Sequence, residues 1–256
     1  QNTALIRTEA PKTPVPRTNW GQNQLSNPSA IRCPESLEDL QKDIVKAVQS
    51  RETPLVIRGS MHSWSPLAIQ DKGTAINLWK MIEAPKIDTE NRIVRVSAGM
   101  KLGDLYDHLD KEGLTLAYKP TINDVTIAGA LATGTHGASR EKGLLADQVI
   151  NVKLIDHQGR KILIDAQGCH ALGENDLQKT TLIAGPIPLA EIKLHRGVLG
   201  VIYEIGMKCV PAYDLELLQT PMYEEDAFGL HYANIIDHMN QNEHSDFFWF
   251  VPDQRV

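Results

Sequence analysis

Two glycine-containing segments, about seventy residues apart, restrict the fold more than any other part of this sequence. The first covers residues 58–66 (Arg-Gly-Ser-Met-His-Ser-Trp-Ser-Pro) and directly follows residues 55–57, a short apolar run typical of a strand. The second covers residues 126–139 and is rich in Gly, Ala and Thr. Glycine allows close approach of the backbone, and consecutive amides in such a loop can point at one anion. The pair therefore predicts either a nest for a phosphate or diphosphate, or two tight turns that pack together.

The spacing of the glycines excludes two common nucleotide-binding motifs. Neither segment contains the GxGxxG spacing of dinucleotide-binding Rossmann folds. Neither contains GxxxxGK[ST], because Ala138 follows Gly137. A nicotinamide cofactor and a nucleoside triphosphate are therefore not predicted.

The charge of the whole chain limits the ligands that it can attract. The sequence has 26 Lys and Arg against 32 Asp and Glu, which gives a net charge of -6 over 256 residues. This balance predicts no nucleic-acid partner, so an anionic ligand must be held by local geometry. No apolar run reaches the ~20 residues that cross a bilayer, and we expect no membrane span.

The cysteines and histidines indicate neither a disulfide framework nor a metal centre. Cys33, Cys169 and Cys209 are odd in number and lack CxxC spacing, so buried free thiols are expected. The C-terminal histidines form no HExxH pair, and no metal is predicted.

The N-terminal residues give an indication of cellular location. The chain starts with Gln1, and residues 1–19 lack apolar periodicity and contain three prolines, which predicts an extended arm. Either a leader has been removed or the chain is an excised piece. A periplasmic or secreted protein is favoured over a cytoplasmic one.

Periodicity in the rest of the chain predicts both helices and strands. A helix is expected to start after Ser36, which can cap it, and a second helical stripe over residues 102–109 ends at Gly113. Residues 168–196 are interpreted as an irregular insertion. Strands are predicted at residues 55–57, 93–96, 114–117 and 201–210, with a hairpin formed by residues 149–155 and 161–164.

The composition changes after residue 214. Apolar residues between 228 and 239 are spaced as in a helix, and residues 247–251 form an apolar run typical of a strand. A strand that is apolar on both faces needs cover on both faces. The sequence therefore predicts that a second, incomplete domain begins near residue 214.

Taken together, several of these segments resemble the FAD-binding domain of the vanillyl-alcohol oxidase/p-cresol methylhydroxylase family. Residues 58–66 and residues 128–137 (Ala-Gly-Ala-Leu-Ala-Thr-Gly-Thr-His-Gly) carry most of the resemblance. Residues 96–105, 197–202 and 247–250 are similar to further segments of that family. Within the family, the chain is most similar to the aldonolactone oxidase branch and to the type II cholesterol oxidases.

The resemblance implies an α+β fold with a two-lobed FAD-binding domain at residues 20–212. It follows the arm at residues 1–19, and residues 213–256 would begin a truncated substrate domain. A small parallel sheet would carry the first loop, and a larger mixed or antiparallel sheet the hairpin. FAD would lie between the lobes, with both loops around its diphosphate. The residues implied to contact it are Arg58, Gly59, Ser60, Met61, His62, Ser63, Thr121, Thr126, Gly129, Thr133, Thr135, His136, Gly137, Gly200 and Val201.

His62 is the residue that the resemblance singles out. In these branches, the histidine of the first loop often bonds to the 8α-methyl carbon of the flavin, and a neutral imidazole nitrogen is a good nucleophile near pH 7. The alternative is that His62 only hydrogen-bonds the cofactor or a carbonyl.

The implied activity is oxidation of an alcohol group on a sugar lactone, an alditol or a sterol. Hydride would pass to flavin N5, and O₂ or another acceptor would reoxidise the flavin. No catalytic residue of this chain is identified, and a second chain could complete the substrate domain. Two alternatives stay open: a non-covalent FAD-binding electron-carrier subunit of a larger dehydrogenase complex, and a scaffold without flavin.

Overall fold

A computed structural model describes most of the chain as a mixture of helices and sheets, as the sequence predicts. The described residues are 17–51, 54–141, 143–173, 178–185, 191, 194–219, 221 and 233–248. The α-helices are α1 (Leu37–Gln49), α2 (Leu102–Lys111), α3 (Ile127–Ala132) and α4 (Ala233–Gln241). The strands are β1 (Ala30–Arg32), β2 (Leu55–Arg58), β3 (Thr74–Asn77), β4 (Lys86–Asp88), β5 (Ile93–Ser97), β6 (Leu114–Thr115), β7 (Val149–Ile155), β8 (Lys161–Asp165), β9 (Gly168–Leu172), β10 (Lys179–Ala184), β11 (Val201–Lys208) and β12 (Val210–Pro211).

The N-terminal part forms a small parallel sheet with strand order β1-β3-β2. Helix α1 connects β1 to β2, and it begins where the sequence predicts, because the Ser36 hydroxyl accepts a hydrogen bond from the Asp39 amide at 3.1 Å. Leu40, Ile44 and Ala47 lie one helical turn apart and form its buried face. Strand β2 ends at Arg58, so this sheet delivers the first glycine-containing loop at its carboxyl edge.

The larger sheet has seven strands in the order β10-β9-β8-β7-β11-β5-β4, and every neighbouring pair is antiparallel. Strands β7 and β8 form the predicted hairpin, in register from Asn151 opposite Asp165 to Ile155 opposite Lys161. Buried residues alternate along β5, where Val94 and Val96 belong to the main hydrophobic core. In β7 and β11 the buried residues include consecutive positions, such as Leu154 with Ile155 and Val201 with Ile202. The central strands β5, β7 and β11 therefore supply much of the core.

Helix α2 packs on the same core. Leu102, Leu105 and Leu109 are fully buried on one face of the helix, as their spacing predicts. The helix ends before Gly113, whose φ of +66° is the left-handed conformation that follows many helix C-termini. A short strand, β6, starts at the next residue.

The interpretation of residues 168–196 as irregular is wrong for most of the described part of that segment. Residues of this segment form β9 and β10, which extend the edge of the large sheet beyond β8. Both strands are short, bulged and half-buried or exposed, so they carry no clear alternation of apolar and polar residues. They form strands because β9 pairs with β8 and β10 pairs with β9, and not because of their own sequence pattern.

The C-terminal predictions are only partly within the described residues. Helix α4 covers the second half of the predicted helical segment, and residues 222–232 lie outside the described residues. Phe247 and Phe248 are exposed and in no strand, while residues 249–256 lie outside the described residues. All three cysteines are free, as predicted, but only Cys209 is fully buried. Within the described ranges, no helix combines the length and apolar content needed to cross a bilayer.

Candidate cofactor-binding site

A cavity of about 310 Å³ lies where the two sheets meet. It opens at the carboxyl ends of β2 and β3, the edge of a parallel sheet at which ligands usually bind. Three segments form most of its wall: residues 57–63 after β2, residues 122–135 around α3, and residues 195–202 at the start of β11. The two glycine-containing loops therefore share one cavity, although they are far apart in sequence.

A buried arginine anchors the first loop. Arg58 is 2% exposed, and its guanidinium donates to the hydroxyl of Ser26, which donates in turn to the carbonyl of Gln70 at 2.8 Å. Burial lowers the pKa of Arg58 from its usual value, yet arginine keeps its charge in proteins. The base of the loop therefore carries a positive charge in a protein whose net charge is negative.

Two backbone carbonyls of the first loop accept hydrogen bonds from an adjacent turn. The Trp20 amide donates to the carbonyl of Met61 at 2.8 Å, and the side-chain amide of Asn19 donates to the carbonyl of Ser63 at 3.0 Å. Met61 is buried and has a φ of +56°, which reverses the chain at this point. Among the described residues, no acceptor binds the backbone N–H groups of residues 60–63. Such consecutive amides can hold an anion.

The second loop comes as close to the first as glycine allows. A Cβ atom on Gly59 would overlap the hydroxyl oxygen of Thr126, and one on Gly129 would lie 2.8 Å from the same atom. Thr126 is the residue before α3, so the turn that opens α3 packs directly on the loop after β2. The close packing of two turns and a shared anion nest are therefore compatible features of one site.

His62 is held between two groups at the cavity wall. Its ring stacks on that of Trp20, with 5.4 Å between the ring centroids and an angle of 17° between the planes. Its Nε2 lies 3.9 Å from a carboxylate oxygen of Asp124, whose other oxygen pairs with the ammonium of Lys101. The His62 side chain is 17% exposed, so the imidazole is oriented but still accessible from the cavity.

The third segment of the wall contains the predicted Gly200 together with His195 and Arg196, which no motif predicts. His195 is 8% exposed, and its Nδ1 accepts a hydrogen bond from the Gly197 amide at 2.9 Å. Burial lowers the pKa of His195, which favours the neutral ring. Gly200 has a φ of +128°, and a Cβ there would lie 2.6 Å from the carbonyl oxygen of Ile155. The only sequence signal for His195 is its position two residues before the Gly197–Gly200 turn.

Eleven of the fifteen residues predicted to contact a cofactor line the cavity: Arg58, Gly59, Ser60, Met61, His62, Ser63, Thr126, Gly129, Thr133, Thr135 and Gly200. Four do not line it. Thr121 and His136 are exposed, Gly137 packs on the carbonyl of Lys119, and Val201 is buried in β11. A cofactor contact at these four positions stays a prediction. Among the described residues, no three His, Cys, Asp or Glu side chains converge as metal ligands would.

The chemistry of this wall fits a dinucleotide. Amides that have no acceptor among the residues the structure describes, together with a buried arginine, suit a diphosphate. Apolar side chains such as Leu78 and Val125 suit aromatic rings. Glycines at the narrowest points allow backbone atoms to reach the ligand. The residues present therefore fit FAD, the cofactor that the sequence resemblance implies.

Comparison with known proteins identifies the domain. The model of the FAD binding domain family matches residues 28–164. L-Gulonolactone oxidase of Bos taurus is 30% identical over 93% of this chain and 49% of its own length. D-Arabinono-1,4-lactone oxidase of Saccharomyces cerevisiae is 27% identical over 78% of this chain, and a long-chain alcohol oxidase of an uncultured marine euryarchaeote is 30% identical over 78%.

These relatives are longer proteins. The chain spans 49% of the gulonolactone oxidase, 36% of the arabinonolactone oxidase and 38% of the long-chain alcohol oxidase. The family match itself covers both glycine-containing loops and more than half of the chain. This chain therefore belongs to the family of proteins that carry this FAD-binding domain.

Proposed function

We propose that the protein is an FAD-dependent oxidase that acts on an alcohol group of a sugar lactone. The observation that carries this proposal is one cavity in which two distant glycine-containing loops meet, with four consecutive amides that have no acceptor within the described part of the chain. Relatives named as gulonolactone and arabinonolactone oxidases favour a lactone over the alditol or sterol alternatives. When bound, FAD supplies hydride acceptance at N5 and electron transfer to O₂.

The chain's own residues would bind and orient the cofactor. The amides of residues 60–63 would donate to the diphosphate, and the buried Arg58 would stabilise its charge. Thr133 and Thr135 would contribute hydroxyl groups from the second loop, since both residues line the cavity. Their hydroxyl oxygens lie 3.4 Å apart. No residue of this chain is assigned to substrate activation.

We further propose that His62 bonds to the 8α-methyl carbon. The new N–C bond would replace one C–H bond of the methyl group, and the imidazole would lose its own proton. The two protons and two electrons released would reach O₂ and leave as hydrogen peroxide. Stacking on Trp20 and the proximity of Asp124 would hold the imidazole ready for this reaction.

We propose that residues 20–212 are the FAD-binding domain and that residues 213–256 begin a substrate domain. Residues 17–19 pack on the FAD-binding domain, because Asn19 is buried and bonded to Ser63. Between residues 212 and 219 the chain has no helix or strand and is exposed, as a domain connection usually is.

The colour and mass of the purified chain test the proposal. We expect a yellow protein whose colour survives acid precipitation and whose mass exceeds that of the sequence by one FAD. His62→Ala should bind FAD reversibly and lose it on acid treatment. Colour lost from the unaltered protein on acid treatment would contradict the covalent bond and support the electron-carrier alternative, and a chain that binds no FAD would contradict the whole proposal.

The substrate class is tested by flavin reduction in the longest available gene product. We expect anaerobic flavin reduction by aldonolactones, with alditols and sterols giving little or none. Reduction by a sterol alone would contradict the lactone assignment while leaving the FAD site intact.

A further inference from the structure

His195 presents a buried hydrogen-bond donor at the wall of the cavity. Because its Nδ1 accepts from the Gly197 amide, the proton of the neutral ring is on Nε2. That Nε2 is buried and has no hydrogen-bond partner among the described residues. Buried donors are almost always paired in proteins, so a missing partner needs an explanation.

The backbone around His195 is bonded to the end of α3. The Arg196 amide donates to the carbonyl of Ala132 at the end of α3, and the Val198 amide donates back to the carbonyl of His195. The side chain of Leu194 lies against Gly134, where an added Cβ atom would overlap its Cδ2 atom. The ring itself is oriented by the hydrogen bond that its Nδ1 accepts from the Gly197 amide.

Other groups in this part of the wall also suit a polar ligand. Arg196 is exposed at the cavity beside His195, and Thr133 at the end of α3 also lines it. An acceptor atom of a ligand in the cavity would be the missing partner of the Nε2–H group.

We propose that His195 is a cofactor-binding residue, whose Nε2–H donates a hydrogen bond to an oxygen or nitrogen acceptor of bound FAD. This inference rests on the proposed FAD site and adds to it a side chain that is remote in sequence from both glycine-containing loops. The tautomer fixed by the Gly197 amide makes Nε2 a donor, so it selects an acceptor at this point of the cavity.

Two substitutions separate the roles of the two ring nitrogens. His195→Asn keeps an acceptor for the Gly197 amide but places no donor where Nε2 lies. His195→Gln reaches further and can place an N–H donor near that position. Both are made in a His62→Ala background, where FAD binding is reversible, and the dissociation constant is measured by fluorescence titration with FAD. We expect His195→Asn to weaken binding about tenfold and His195→Gln to stay within about threefold of the parent.

The outcomes separate this inference from the proposed function. A parent that binds no FAD contradicts the proposed function, whereas a parent that binds FAD as well as its His195→Asn variant does contradicts only the role of His195. Titration with ADP and with FMN shows which half of FAD accepts the hydrogen bond, because only that fragment should lose affinity.

A measurement on the protein with His195 unchanged does not depend on the folding of a variant. In ¹⁵N-histidine NMR spectra, the Nε2–H signal of His195 should shift and become protected from exchange when FAD is added. A signal that FAD leaves unchanged would overturn the proposal.

Discussion

At the scale of single residues, the two loops are packed tightly against each other at Gly59. Gly59 has no room for a side chain because the hydroxyl of Thr126 occupies that space. We predict that Gly59→Ala weakens FAD binding about tenfold or more by pushing the loops apart. Gly59→Ala combined with Thr126→Ala should recover part of the affinity, since the obstructing oxygen is gone.

Gly103→Ala is the matched control. A Cβ there would lie 3.6 Å from the nearest atom, in Asn123, and alanine is a better helix former than glycine within α2. It should leave FAD affinity unchanged. Equal affinities for Gly59→Ala and Gly103→Ala would show that the contact between the loops does not shape the site.

The ring stacked on His62 offers a second test. Trp20→Ala removes the stacking partner and should slow covalent attachment of FAD about tenfold, because the imidazole loses its fixed orientation. Trp64→Ala removes an equally exposed indole that contacts Trp20 but not His62, and it serves as control. The acid-stable flavin fraction is followed over time, and identical rates for the two variants would argue against an orienting role for Trp20.

His195 also couples stability to pH. Burial lowers its pKa below 6.5, so the unfolded chain binds this proton more readily than the folded chain. The neutral His195 therefore contributes to the free energy of unfolding, and this contribution is complete above pH 6.5. It is lost as the pH falls from 6.5 toward the lowered pKa of the folded state, with a slope of at most ~1.4 kcal/mol per pH unit. His195→Gln should reduce the loss of unfolding free energy between about pH 8 and about pH 5. The free energies of unfolding are measured by urea titration at each pH, and an equal loss in the variant and in the unaltered protein would contradict this.

At the scale of elements, helix termini follow local sequence closely. Gly113 ends α2 with a φ of +66° and has open space around it. Gly113→Ala should therefore cost about 1 kcal/mol through backbone strain alone. Gly185→Ala, also in open space but without a positive φ, should cost little. Urea unfolding of both variants gives the comparison, and equal stabilities would show that the strain at Gly113 is negligible.

The elements that could be predicted from sequence are those with strong periodicity. The sequence shows Leu102, Leu105 and Leu109 at helical spacing and alternating residues in β5, and in both elements the pattern buries one face. Strands β1, β3 and β4 have three or four residues, too few for a period to show. Strands β9 and β10 depend on pairing with β8, which no local pattern encodes.

At the scale of the whole molecule, most of the residues predicted to contact a cofactor line the cavity, because two of its three segments carry recognisable small-residue motifs. His195 and Arg196 could not be found that way: a histidine beside an arginine has no special spacing. They reach the cavity because their segment is bonded to Ala132 at the end of α3, a contact across more than sixty residues. Long-range backbone contacts of this kind are invisible in a single sequence.

The exchange of backbone amides with and without FAD tests most directly whether both loops hold the cofactor. Without ligand, the amides of residues 60–63 should exchange quickly, since no described residue accepts from them. Hydrogen–deuterium exchange after addition of FAD should show protection in residues 60–63 and in residues 126–135 together. Binding of FAD that protects only one of these segments, or neither, would contradict a cofactor held between the two loops.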